Sequence, residues 1–245
     1  MEEVTALESG RQEGFFHHLA NLYVSPGTEF VSILRQRSFW APLVALVVLN
    51  IAFTAVWLQK VDRREFMRAR IEESPRADQI PPGQMEQIVE TQAGFLHLWG
   101  WGGALLAAPV IVFGLAGLFL FVYRFFYEGQ LTFGHSAAVV GWSFFAVGLV
   151  QTPLMLLTLF LKGDWTIPPQ NALEANLGML LDRETTAKPL HALASSLDLF
   201  SFWTMFLLSA GYAVATRRPT ASAAWGVVTM WGLYVLAKMG FSLLF

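Results

Sequence analysis

The chain contains no cysteine, and only 14% of its 245 residues are charged. Without a thiol, disulfide bonds, thiol catalysis and cysteine-based zinc sites are excluded. The formal net charge of −2 provides no basic field of the kind that attracts nucleic acid, so we expect no nucleic-acid partner.

Hydrophobic residues make up 55% of the chain, and its mean hydropathy is +0.48. They are concentrated in five long runs with almost no formal charge. The first run, residues 38–59, contains no Asp, Glu, Lys or Arg. As a helix it would be about 33 Å long, enough to cross a hydrocarbon core of about 30 Å. Continuous runs of this length suit helices better than alternating barrel strands. The sequence therefore predicts an all-α, polytopic integral membrane protein with five transmembrane helices.

The predicted organisation has two parts, an N-terminal amphipathic segment (residues 1–38) and a five-span membrane domain (residues 39–245). We place the spans at about 39–58, 95–123, 131–161, 194–216 and 220–242, with extramembrane connections at 59–94 and 162–193. The links between spans two and three, and between spans four and five, are short. Each of these pairs is therefore predicted to form a helical hairpin.

Two amphipathic helices are predicted outside the spans. The first follows the N-cap residue Ser25 and places Glu29 opposite an apolar face. That face consists of Phe30, Ile33 and Leu34. Both an interfacial membrane helix and a soluble capping helix fit this pattern. The second helix, in the third connection, would use Leu173, Leu177, Leu180 and Leu181.

Four polar side chains inside the apolar runs need an explanation: Asp198, Lys238, Asn50 and Gln151. A charge near the centre of a spanning helix costs about 2.5 to 3.5 kcal/mol on insertion scales. Folding spans four and five together at residues 217–218 brings Asp198 and Lys238 to the same depth. We predict an ion pair between them; the alternative is that each reaches water separately. For Asn50 and Gln151, interhelical hydrogen bonds and substrate binding are the two interpretations.

No pattern of catalytic residues appears in the chain. The adjacent pair His17-His18 and the single histidines His97, His135 and His191 lie on separate elements without metal-ligand spacing. A nucleophile elbow, a phosphate-binding glycine loop and paired catalytic carboxylates are likewise missing. We therefore expect no enzyme, no cofactor and no metal.

Several stretches resemble a known membrane-protein family. Ser25-Pro26 with Phe30 and Leu34 resembles the entry segment of the Yip (Ypt-interacting protein) family. The stretch LASSLDLFSFWTMFLLSAGYAVA, from Leu193, is similar to its bacterial members, as is SPRADQIPPGQMEQIVE in the first connection. In those members an Asp-Leu-Phe and then a Trp near the start of span four precede a late Gly. The matching positions here are Asp198, Leu199, Phe200, Trp203 and Gly211.

The resemblance covers the chain from about Leu22 onward and implies a five-span fold. For eukaryotic members it implies a cytosolic N-terminus, vesicle trafficking and contact with prenylated small GTPases and other family members. Counting Lys and Arg in the loops instead places the N-terminus outside, so the two indications of orientation disagree. For a bacterial-type member we expect the inner membrane as the location.

Two functions remain open from the sequence. The first is a non-catalytic membrane scaffold that contacts lipids and a partner membrane protein or a second copy of itself. The second is a small transporter or channel component in which Asn50, Gln151 and Asp198 face a common cavity. Convergence of these three side chains on one pocket would favour the transporter.

Overall fold

A computed structural model describes residues 14–36, 38–74, 77–173, 175–182 and 185–244. These residues form ten α-helices: α1 Phe15–Val24, α2 Pro26–Gln36, α3 Trp40–Lys60, α4 Arg63–Glu72, α5 Pro82–Phe125, α6 Phe133–Lys162, α7 Pro169–Ala172, α8 Lys188–Ala194, α9 Leu199–Thr216 and α10 Thr220–Leu244. Within these ranges there is no β-strand, only an isolated bridge between Asn176 and Asp198. The predicted all-α class is confirmed.

Five of these helices, α3, α5, α6, α9 and α10, are long and apolar enough to cross a membrane. The shortest, α9, has 18 residues and is therefore about 27 Å long. The five spanning helices expected from the sequence are thus confirmed by length and composition.

The longest helix, α5, has 44 residues and extends about 66 Å. Its first part, residues 82–92, packs against α4, and the two form what we call the arm. Arg64 contacts Glu90 at 2.6 Å, and Arg68 pairs with Glu86. The predicted charged connection is therefore a helical pair that continues directly into a membrane span.

Both hairpins turn at the same end of the bundle. The α5–α6 and α9–α10 turns are joined by Arg218, whose Nη2 donates to the carbonyl oxygen of Tyr127 at 2.8 Å. We call this the turn end and the opposite end of the α9–α10 hairpin the open end. Buried hydrogen bonds tie α5, α6 and α9 together near the turn end. Ser136 Oγ donates to the Ala116 carbonyl at 2.7 Å and bonds the hydroxyl of Tyr212 at 2.6 Å.

Helix α3 runs parallel to α6 but starts further along the bundle. Pro42 lies against Gly141, and Leu46 and Leu49 lie against Gly148. The start of α3 is therefore displaced by roughly 10 Å along α6. This displacement leaves the first turns of α6 and the facing side of α9 without a cover from α3.

The α1–α2 hairpin fills that space. Phe30 and Ile33 of α2 are almost completely buried, and Phe30 reaches Gly211 of α9. Phe15 of α1 packs against Trp142 and Phe145 of α6, with ring centroids 5.1 and 5.3 Å away. The predicted apolar face of α2 is correct, but the interpretation of it as a lipid-facing surface is wrong. Helices α6 and α9 cover this face of α2. They can do so because the displaced start of α3 leaves their side chains free to pack against α2.

Two other elements differ from the prediction. In the third connection, residues 169–172 and 177–180 form only short helical turns, and Asn176 caps the second by accepting from the Gly178 amide. The continuous amphipathic helix predicted there is absent from its described part. Span four also begins later than residue 194. Helix α8 ends at Ala194, and α9 starts at Leu199 because Asp198 caps it.

Candidate functional site

The four polar residues singled out in the sequence do not meet in one place. Asp198 and Lys238 lie at the open end, whereas Asn50 and Gln151 are half-buried in α3 and α6. Among the described residues, neither Asn50 nor Gln151 makes a side-chain hydrogen bond. The expected role of these two side chains in helix contacts therefore stays a prediction.

Asp198 is the N-cap of α9. Its Oδ1 accepts hydrogen bonds from the backbone amides of Phe200 at 3.0 Å and Ser201 at 2.9 Å, and its Oδ2 accepts one from the Ser201 hydroxyl. A carboxylate at a helix N-terminus satisfies orphan amides and interacts favourably with the helix dipole. Asp198 thus stands at the start of a span and not in its middle.

Lys238 bonds hydroxyl groups and not a carboxylate. Its Nζ donates to Ser195 Oγ at 2.9 Å and to Ser196 Oγ at 3.0 Å, in the turn between α8 and α9. No described carboxylate lies within 4 Å of this ammonium, although Asp198 attracts it through space. The predicted direct ion pair is therefore wrong. The Asp198 oxygens instead accept from the amides of Phe200 and Ser201 and from the Ser201 hydroxyl, and Lys238 donates to Ser195 and Ser196.

The pairing of α9 with α10 nevertheless agrees with the predicted helical hairpin. Phe202 and Trp231 lie with ring centroids 6.3 Å apart. A cavity of about 340 Å³ runs along this contact between the two helices. It is lined by Phe202, Met205, Phe206, Ser209, Thr220, Ala221, Ala224, Val228 and Trp231. Its walls are mostly apolar, so it suits a hydrocarbon chain better than a polar solute.

A second cavity, of about 540 Å³, opens between α8 and α10. We call it the basic cavity, because Lys188, His191 and Lys238 contribute to its walls. Neither this cavity nor the apolar one is lined by Asn50, Gln151 or Asp198. The convergence that would favour a transporter is not found at either of them.

The sequence argument missed a buried polar pair between α1 and α2. His18 Nδ1 bonds the carboxylate of Glu29, and both side chains are about 5% exposed. The His18 ring packs edge-on against Trp142 of α6 at 5.7 Å. The two residues lie on either side of the Ser25 turn. Pairing sequence positions about the Ser25 turn, as was done for spans four and five, would have placed His18 and Glu29 opposite each other.

The same pair belongs to the only described group with metal-ligand chemistry. His17, His18 and Glu29 each offer a ligand atom, and these atoms all lie within 4.8 Å of one another. Imidazole nitrogens and a carboxylate oxygen are ligands that zinc accepts. In this structure two of the three groups bond each other and form a clamp between α1 and α2. The clamp is supported by Tyr23, whose hydroxyl donates to the Ala146 carbonyl at 2.7 Å. Partial burial raises the pKa of Tyr23 above its usual value, so the donating proton is retained.

The capping role of Asp198 can be tested directly. Replacing Asp198 with alanine should lower the free energy of unfolding by about 1 to 2 kcal/mol, because the first amides of α9 lose their acceptor. Asp198→Asn keeps the acceptor oxygen and should cost much less. Thermal unfolding in detergent, followed by circular dichroism, measures both. Equal losses in the two variants would show that the charge of Asp198 matters more than its cap.

The comparisons with known proteins agree with this architecture. A family model described as the Yip1 domain matches residues 20–241, a range that includes four of the five candidate spans in full and all but the last two residues of the fifth. No curated protein and no solved structure gives a significant match. The match covers most of the chain, as the resemblance predicted. This protein is therefore a multi-pass integral membrane protein that belongs to the Yip1 domain family.

Proposed function

We propose that the protein acts without catalysis, as a membrane scaffold that binds another integral membrane protein or a second copy of itself through the arm. The observation that carries this proposal is the use of the interior polar groups. Near the turn end, the buried hydroxyls of Tyr123, Ser136 and Tyr212 bond one another or backbone carbonyls, and these bonds close contacts between helices.

The interior of the bundle supports this proposal at three positions. Ser136 and Tyr212 bond each other, and the hydroxyl of Tyr123 donates to the Ala223 carbonyl at 2.5 Å. The rings of Tyr123 and Tyr212 stack with centroids 4.4 Å apart. Buried hydroxyls with partners rigidify a core, whereas a transport site needs polar groups that a solute can reach.

The arm offers a binding surface outside the spans. Phe66 of α4 packs edge-on against Trp57 of α3 at 5.1 Å, which anchors the arm to the membrane domain. Asp62 caps α4 by accepting from the amides of Arg64 and Glu65. The Arg64–Glu90 pair is about two-thirds exposed, so it contributes little to stability but holds charged groups at fixed positions. Fixed charges of both signs favour specific recognition of a partner. A small GTPase is suggested as that partner by family resemblance alone.

Single-cysteine variants test the arm, because the chain has no cysteine of its own. We expect Glu72→Cys and Gln87→Cys, both exposed on the arm, to give a discrete cross-linked product in native membranes with a bismaleimide. Gln130→Cys, exposed in the turn-end loop, is the matched control and should give none. A product of twice the chain mass indicates a second copy, and any other discrete mass indicates a different protein.

Two outcomes would contradict the scaffold proposal. One is equal cross-linking from the arm and from Gln130, which would mean random collision. The other is solute flux in proteoliposomes that is lost in Asn50→Ala or Gln151→Ala, which would favour the transporter.

A further inference from the structure

The basic cavity has the chemistry of an anion site. It is lined by Thr186, Lys188, His191, Ala192, Ser195, Lys238, Phe241 and Ser242. Two of these residues are lysines and one is a histidine, three carry hydroxyl groups, and none is acidic. The hydroxyls of Ser195 and Ser242 already donate to the carbonyls of Ala192 and Met239, so the ammonium groups of the two lysines are the main donors in this lining.

The ammonium group of Lys238 belongs to a half-buried side chain at the wall of this cavity. Its two hydrogen bonds go to the hydroxyls of Ser195 and Ser196, which carry no net charge. Asp198 compensates it only through space, because its own oxygens cap α9. A half-buried ammonium on a spanning helix is costly, and an anion in the cavity would lower that cost.

The position of the cavity indicates what kind of anion could enter. It lies at the open end, where α8 leads into the span α9 and where Lys238 approaches the end of the span α10. Lipid headgroups lie at such ends of spans, and lysine side chains reach toward them. Phe241, which is largely exposed, lies on the cavity wall and adds an apolar surface beside the charges.

We propose that the basic cavity binds a phosphate group, carried by an anionic phospholipid or by a soluble phosphate ester, with Lys188 and Lys238 as its cationic contacts. Phosphate oxygens accept charge-assisted hydrogen bonds from ammonium groups and further bonds from hydroxyls. The volume of about 540 Å³ is ample for a headgroup. This proposal does not depend on the scaffold role of the arm.

The test uses the full chain in detergent with three probes. Native mass spectrometry measures binding of phosphatidylglycerol and of zwitterionic phosphatidylcholine, and calorimetry measures binding of glycerol 3-phosphate. We expect phosphatidylglycerol to bind about tenfold more tightly than phosphatidylcholine, because two ammonium groups favour a net negative headgroup. In the double variant Lys188→Gln, Lys238→Gln, affinity should fall about tenfold or more.

The matched control is Lys60→Gln at the end of α3, where the ammonium lies 5.7 Å from the Phe160 ring. It removes one positive charge near a span end and should leave binding unchanged. Lys238→Arg should keep most of the affinity. Because Lys188 is exposed, Lys188→Gln should fold normally and gives a separate measurement should the Lys238 variants fail to fold.

The outcomes separate the two sources of phosphate. Loss of phosphatidylglycerol binding in the variants identifies a lipid site, and loss of glycerol 3-phosphate binding alone identifies a soluble ligand. The proposal is overturned if wild-type protein does not discriminate between the two lipids and does not bind glycerol 3-phosphate. It is also overturned if Lys60→Gln weakens binding as much as Lys188→Gln does.

Discussion

Replacing Gly211 with leucine should release the α1–α2 hairpin from the bundle. A Cβ atom at this position of α9 would lie 2.6 Å from Val139 Cγ1 and 3.1 Å from Phe30 Cζ. Both neighbours are completely buried, so neither can move aside without displacing its own helix. Overpacking of this kind costs about 1 to 3 kcal/mol for small insertions, and a leucine adds three more carbon atoms to the clash. We expect a loss of about 3 kcal/mol or more, with the thermal midpoint in detergent falling by roughly 5 to 10 °C.

The smaller substitution Gly211→Ala gives a sharper test, because helix propensity predicts the opposite sign. Alanine is favoured over glycine inside a helix by about 1 kcal/mol. At Gly232 of α10 nothing lies within 4 Å of the added Cβ, so Gly232→Ala should be neutral or stabilising. Gly211→Ala should be destabilising. Protease accessibility of α1 measures release of the hairpin, and equal behaviour of the two alanine variants would contradict the close contact with α2.

Removing one partner of the His18–Glu29 pair should lower the free energy of unfolding by about as much as Gly211→Leu does. With His18→Leu, the Glu29 carboxylate stays buried without its imidazole, and breaking a buried pair in this way costs about 3 to 5 kcal/mol. The double variant His18→Leu, Glu29→Leu leaves no polar group to desolvate and should recover most of that loss. Unfolding in detergent measures the full double-mutant cycle.

The matched control for the cycle is His17→Leu. His17 is the exposed neighbour of His18 on α1, and its ring lies 3.2 Å from the Asn21 amide nitrogen. Its replacement should change stability by less than about 0.5 kcal/mol. Additive losses in the double variant would show that His18 and Glu29 act independently, contrary to the buried contact.

The spans could be predicted from the sequence because the penalty for a charge in lipid leaves a clear pattern. Residues 38–59 have no formal charge, and α3 was found there as Trp40–Lys60. The hairpin arithmetic for spans four and five also brought Lys238 to the correct level, beside the turn before α9. These features depend on length and on sequence position alone.

The features that the sequence could not predict are those that depend on which helices pack against each other. The apolar face of α2 was visible in Phe30, but a lipid surface and the side of α9 are equally apolar. Glu29 appeared solvent-facing because its partner His18 is on another helix. The direct Asp198–Lys238 pair failed because a helix cap competed for the same carboxylate. For Phe30 and Glu29 the deciding contact lies between helices, where periodicity carries no information; for Asp198 it is a local cap at the start of α9.

The packing of α2 against α9 also has a consequence for biosynthesis. Phe30 is made about 180 residues before Gly211, against which it packs. At translation speeds of about 5 to 20 residues per second, the apolar stripe of α2 waits roughly 10 to 40 seconds for α9 to emerge. During that interval only α6, which is made earlier, can receive the hairpin, through the contacts of Phe15 with Trp142 and Phe145. The contact between Phe30 and Gly211 can therefore form only after α9 has been made.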